Sequence, residues 1–148
     1  MPIIEVWGVA KHPMGQGLRQ LTALTEKVRG AVVSVSELML EEKHVSVFYP
    51  ADYRNDTEFR DSSTLQKHGF AIGSVDDTIV VFVRGLFVAA ERTADVRTKL
   101  AEKIAACLKE TAKSQKATQI EVFVEVFSKN VGGFASVSVP LDSTQAAE

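Results

Sequence analysis

The chain has 148 residues, of which 45% are hydrophobic and 24% charged, an ordinary balance for one globular domain with a sizeable core. A formal net charge of -2 gives no electrostatic reason for a nucleic-acid surface, and no apolar run reaches the length of a membrane span. The start of the chain lacks a basic n-region and Glu5 interrupts its apolar stretch; with a single Cys107 as well, the expectation is a soluble, cytoplasmic protein.

Residues Ile3 to Val9 read as a strand, and Pro13, Gly15 and Gly17 mark a loop. Leu18, Leu21, Thr25, Val28 and Val32 then fall on one face of a helix, with Gly30 weakening its end. His44 to Tyr49 reads as a second strand stopped by Pro50. Ala51 to Lys67 is a polar excursion leading to Gly69-Phe70-Ala71.

The pattern then restarts. Ile79 to Val83 is an apolar strand. Thr93 suits an N-cap, Asp95 suits the positive helix end, and Val96, Leu100, Ile104 and Leu108 recur at spacings of four. From Gln119 to Phe127, Ile120, Val122, Val124 and Val126 alternate with Glu121, Phe123, Glu125 and Phe127, so the two sets face opposite ways. Gly133-Phe134-Ala135 repeats the earlier triplet, and the tail after Pro140 is polar.

Strand, helix, strand and a Gly-Phe-Ala segment thus occur twice. The expected fold is α/β (α+β): one domain over 1–148, with a first β-α-β unit about 1–75, a second about 76–140 and a tail 141–148. Right-handed crossovers give a four-stranded, mainly parallel sheet with two helices on one face. The other sheet face carries Phe123, Phe127 and half of the Ile79–Val83 strand. An oligomer burying that face is the economical solution; the alternative is that the 51–67 excursion covers it.

This architecture, together with the opening Met1-Pro2-Ile3-Ile4, resembles the tautomerase superfamily. Gly85-Leu86, Arg92-Thr93-Ala94-Asp95-Val96 and Ile120-Glu121-Val122-Phe123 resemble the second half of its cis-3-chloroacrylic acid dehalogenase group. The resemblance implies a homotrimer, no cofactor, and removal of Met1 to free the nitrogen of Pro2. That nitrogen would then be a secondary amine able to act as general base or acid; while Met1 is attached it is an amide and cannot. The resemblance also implies that Arg92, just before the second helix, binds a substrate carboxylate. Phe123 takes the place of an active-site tyrosine and is expected to wall the pocket that holds Pro2.

Other family features are missing. Val28 stands where the dehalogenases have a histidine, and Phe87 to Ala90 hold no second arginine. Dehalogenation needs such groups to activate water, so the expected activity is instead isomerase-like: proton transfer on a small 2-oxo acid or its enol. The alternatives are a non-catalytic binding or interaction module of the same fold, or a decarboxylase or hydratase with other acids. Glu121 and Glu125 read either as acids near Pro2 or as solvated strand carboxylates; Arg84 reads either as a second cation or as their partner. Lys11-His12 precedes the first helix and has only its position to recommend it. His12, His44 and His68 lack metal spacing, so no metal is expected. Cys107 reads as an inert core residue.

Overall fold

The computed structural model describes residues 1–9, 18–50, 78–114, 117–128, 132 and 135. The polar excursion, both Gly-Phe pairs, Lys11-His12 and the C-terminal tail lie outside the described residues.

Four strands form one sheet: β1 (Ile3–Trp7), β2 (Ser46–Phe48), β3 (Thr78–Phe87) and β4 (Gln119–Phe127). Helix α1 (Leu18–Val33) links β1 to β2. Helix α2 (Ala94–Cys107) and the short α3 (Lys109–Ser114) link β3 to β4. The sheet order is β2-β1-β3-β4. Each outer pair is parallel, as a β-α-β crossover requires, and the two units meet at an antiparallel β1–β3 seam. Among the described residues no helix is long and apolar enough to cross a membrane.

The core lies between the helices and one sheet face. Ile4, Val6, Ile79, Val81 and Val83 supply the sheet side; Leu24, Val28, Val32, Leu100, Ile104 and Leu108 supply the helix side. Ile120, Val122 and Val124 pack against this cluster, as the alternation in β4 predicts. On the opposite face Ile3, Phe48 and Phe123 are exposed among the described residues; the 51–67 excursion lies outside them. A second helix on the expected spacing is present, and Thr93 caps it: its hydroxyl accepts from the Val96 amide at 3.3 Å.

Several boundaries differ from expectation. β1 stops at Trp7, because Gly8 turns the chain with a φ of +92°. β2 is shorter than His44–Tyr49; His44 belongs to a 3-10 turn, and its Nδ1 accepts from the Glu41 amide. β3 runs ten residues, beyond Val83 to Phe87, because a register irregularity between Val83 and Leu86 absorbs Arg84 and Gly85 and lets Leu86 pair with Val126. In α1 the core position is Leu24 rather than Thr25, whose hydroxyl bonds both the Leu21 carbonyl and the Tyr49 hydroxyl.

Candidate functional site

β1 runs antiparallel to β3, so the start of β1 lies beside the end of β3. Ile3 faces Arg84, and Pro2 comes next to the Gly85 bulge. Pro2 is buried, on the face it shares with Ile4 and Val6, while Met1 is exposed. The Pro2 carbonyl accepts from the Ser46 amide at 3.2 Å, which ties Pro2 to the start of β2.

Beyond Phe87 the chain turns through Ala89–Arg92, closed by a bond from the Arg92 amide to the Ala89 carbonyl. The Arg92 guanidinium folds back and donates to the Phe87 carbonyl at 2.6 Å. Arg97, one turn into α2, donates to the Arg92 carbonyl at 3.2 Å. One end of the sheet therefore collects Pro2, Gly85, Phe87 and the turn carrying Arg92, with Arg97 on the first turn of α2 bonded to it. Arg92 binds its own backbone through Nη1, leaving a fork of further N–H donors. Arg97 likewise engages backbone, at the Arg92 carbonyl, and Asp95 sits in the first turn of α2.

Phe123 stands elsewhere. It is on the face away from the helices, as expected, but its register partner is Phe82, on which it stacks with ring centroids 5.5 Å apart. Phe82 in turn faces Glu5, not Pro2. A single chain thus brings Pro2 and the Arg92 turn to the same end of the sheet and leaves Phe123 at mid-strand on the opposite face, so within one chain Phe123 does not share a face with Pro2 as expected. The aromatic pair at the Pro2 end is Phe87 with Phe127, edge to face at 5.7 Å.

Comparison with known proteins follows this geometry. No protein-family model and no curated protein matches the sequence. Solved structures do match. F6 fused 4-OT, an asymmetric trimer, is similar over 97% of both chains, with a TM-score of 0.56 at 11% identity. N1, a member of the cis-3-chloroacrylic acid dehalogenase family, is similar over 97% of this chain and 87% of its own, with a TM-score of 0.53 at 12% identity. Macrophage migration inhibitory factor of Toxoplasma gondii is similar over 91% of this chain and 97% of its own, with a TM-score of 0.51 at 16% identity. The chain has the tautomerase-superfamily fold.

Within this tautomerase fold, Arg84 combines both roles read from the sequence. It is a cation on the face away from the helices, and it lies 3.7 Å from Glu5 and 3.9 Å from Glu125 while covering the Phe82 ring at 4.9 Å. Glu125 is thus a partner of Arg84 rather than a free acid, and Glu121 is exposed. Cys107 is half-buried, and burial pushes its thiol upward, which keeps it protonated and unreactive. Two residues of this end were given no site role from sequence, although Gly85 belongs to the Gly85-Leu86 pair that carries the resemblance. Arg97 had a usable signal, a second arginine just inside a capped helix. Gly85 had a weaker one, an isolated glycine within an apolar strand.

Proposed function

We propose that this protein is a tautomerase-like enzyme that moves a proton on a small 2-oxo acid or its enol without a cofactor. Pro2, once Met1 is removed, is the general acid and base, and Arg92 holds the substrate carboxylate. The observation that carries this reading is the shared location of a buried Pro2 and the Arg92 turn at one end of the sheet.

The chemistry is short. An unperturbed α-amino group titrates at about 7.7–8.0. Apolar surroundings disfavour the ammonium and move that value down, toward neutrality, where one group both gives and takes a proton. In ketonisation the ammonium delivers its proton to the enol carbon, the enol hydroxyl releases its own to water as the carbonyl forms, and the amine regains a proton from water. The guanidinium fixes the carboxylate throughout. Two features argue against dehalogenation: Phe123 offers no hydroxyl, and Val28 is wholly buried.

A homotrimer is part of the proposal. The exposed Ile3, Phe48 and Phe123 on one sheet face and the trimeric state of F6 fused 4-OT support it. Phe123 would serve as a pocket wall only across a subunit boundary, because its own Pro2 lies on the other face of the sheet and at a different level. Sedimentation is expected to give a trimer that Phe123→Asp dissociates; a stable monomer at micromolar concentration removes this part of the proposal.

The decisive test is phenylenolpyruvate ketonisation by protein whose Met1 removal is confirmed by intact mass. Weak turnover above buffer is expected, with little or no action on chloroacrylates. Pro2→Ala should lower the rate without loss of fold. Arg92→Ala should weaken binding by about 1.5–3 kcal/mol, the range for a bond to a charged group. Buffer-level rates on several enols would instead support the second reading, a binding or interaction module. The exposed Ile3, Phe48 and Phe123, together with the engagement of Arg92 by its own backbone, favour that alternative.

A further inference from the structure

At Gly85 the backbones of the two halves come close together. Its φ of +70° lies in the left-handed region that favours glycine. A Cβ built on it would stand 2.8 Å from the Met1 carbonyl oxygen, 3.8 Å from the Met1 carbonyl carbon and 3.9 Å from the Ile3 nitrogen. That carbonyl carbon is the atom bonded to the Pro2 nitrogen. When Met1 leaves, the freed valence of the amine points to where the carbonyl stood. An atom exchanging a proton with the amine at about 2.6–3.2 Å must occupy this same space. A side chain at position 85 would point into it.

We propose that Gly85 is a positioning residue: by lacking a side chain inside the β3 bulge, it keeps open the approach of a small carboxylate substrate to the Pro2 nitrogen. The inference deepens the tautomerase-like reading and rests on it for the substrate class. The pairing of β1 with β3 sets which residue passes the amine. It runs without a break from Trp7 opposite Val80 to Ile3 opposite Arg84, so the next residue, Gly85, comes beside Pro2. Met1 is exposed as a residue while Pro2 is buried.

Backbone strain and steric blockage are separable here. Gly8 also has a positive φ, and a Cβ on it would meet the Thr78 carbonyl oxygen at 3.0 Å, but it lies at the far end of β1 from Pro2. Gly8→Ala therefore carries comparable strain without touching the amine. Gly85→Asn introduces a Cβ in a residue type that accepts the left-handed region, so it serves if Gly85→Ala fails to fold.

The experiment uses full-length protein with Met1 removal confirmed by mass. Pro2 is labelled with glyoxylate and cyanoborohydride. The secondary amine and the aldehyde condense to an iminium with loss of water, and hydride from cyanoborohydride reduces it to a tertiary amine. The rate is read on the N-terminal peptide, so lysine labelling does not interfere. Gly85→Ala and Gly85→Asn should slow Pro2 labelling about tenfold or more, with enol ketonisation falling in parallel, whereas folded Gly8→Ala labels like the wild type. A folded Gly85 variant labelled within about twofold of wild type, well below that effect, overturns the proposal and leaves the tautomerase reading standing. A wild type that labels at Pro2 but never ketonises enols, with labelling blocked by the Gly85 variants, removes the tautomerase reading and keeps the positioning role. Full retention of Met1 on the mature protein overturns both.

Discussion

β1 and β2 have five and three residues, whereas β3 and β4 have ten and nine. The longer pair carries its own means of alignment: two aromatic contacts across β3 and β4, and a helix whose first turn is capped by Thr93. The shorter pair is held from outside, with β1 inserted between β2 and β3 and its alternate residues Ile4 and Val6 fully buried. The difference shows a division of labour. The second half is a frame, and the first half presents Pro2 to it. A short strand can be placed accurately when its neighbours, rather than its own length, set its register.

The comparison can be broken most directly in the core. Ile104→Ala, under the second half, should cost about 2–5 kcal/mol. Val6→Ala in β1 removes less apolar volume and should cost nearer 1.5 kcal/mol, at about 0.8 kcal/mol for each lost methylene-sized group. Urea midpoints measure both, and a larger loss from Val6→Ala would show that the first half is no guest of the second. Next in size is the cap. Thr93→Ala should lower stability by about 1 kcal/mol, read in the same titration.

Cys107 reports on the boundary between the halves, since Lys27 of α1 and Tyr49 after β2 are its electrostatic neighbours. Burial raises both the thiol and the Tyr49 hydroxyl above their ordinary values. A raised folded value means stability that is full below the unfolded value and is lost as pH rises through the folded one. Stability should therefore decline on the alkaline side, beginning near the ordinary thiol value of about 8.5. Cys107→Ala should flatten the first part of that decline in thermal melts taken across pH.

The smallest effect is expected at the Glu37–Lys99 pair, which joins the turn after α1 to α2 at 2.8 Å. The Lys99 ammonium holds the Glu37 carboxyl below its ordinary value. Its contribution is present above the unfolded value and is lost as pH falls through the folded one. Lys99→Ala should shift the melting temperature slightly at neutral pH and not at all in acid, where Glu37 is protonated. Equal shifts at both would point to a packing effect instead.

Local periodicity carried much of the fold. The alternation of Ile120, Val122 and Val124 against Phe123 is a property of one strand, and the spacing Leu100, Ile104, Leu108 of one helix. What stayed hidden depended on partners. Thr25 fits the helical stripe by spacing, yet its hydroxyl goes to Tyr49 and Leu24 takes the core position. The extension of β3 through Arg84 and Gly85 is concealed because a charge and a glycine interrupt the apolar run; only pairing with β4 shows the bulge. The candidate site was half legible. Pro2 and Arg92 follow from the family resemblance and lie at one end of the sheet. The level of Phe123 relative to Pro2 passes through two registers, β1 to β3 and β3 to β4, and no single segment encodes their sum.

The antiparallel seam also has a consequence for how the protein is made. β1 is synthesised first, yet its partner β3 emerges only much later, and bringing distant segments together is entropically slow. Until then the bond between Met1 and Pro2 precedes an unpaired strand, within reach of the aminopeptidase that the proposed function requires. Once β1 docks, the Met1 carbonyl lies against the backbone at Gly85. The proposed Met1 removal thus has a deadline set by translation: chains that outrun the peptidase keep Met1. Adding the peptidase to such protein should trim it during refolding far faster than in the native state.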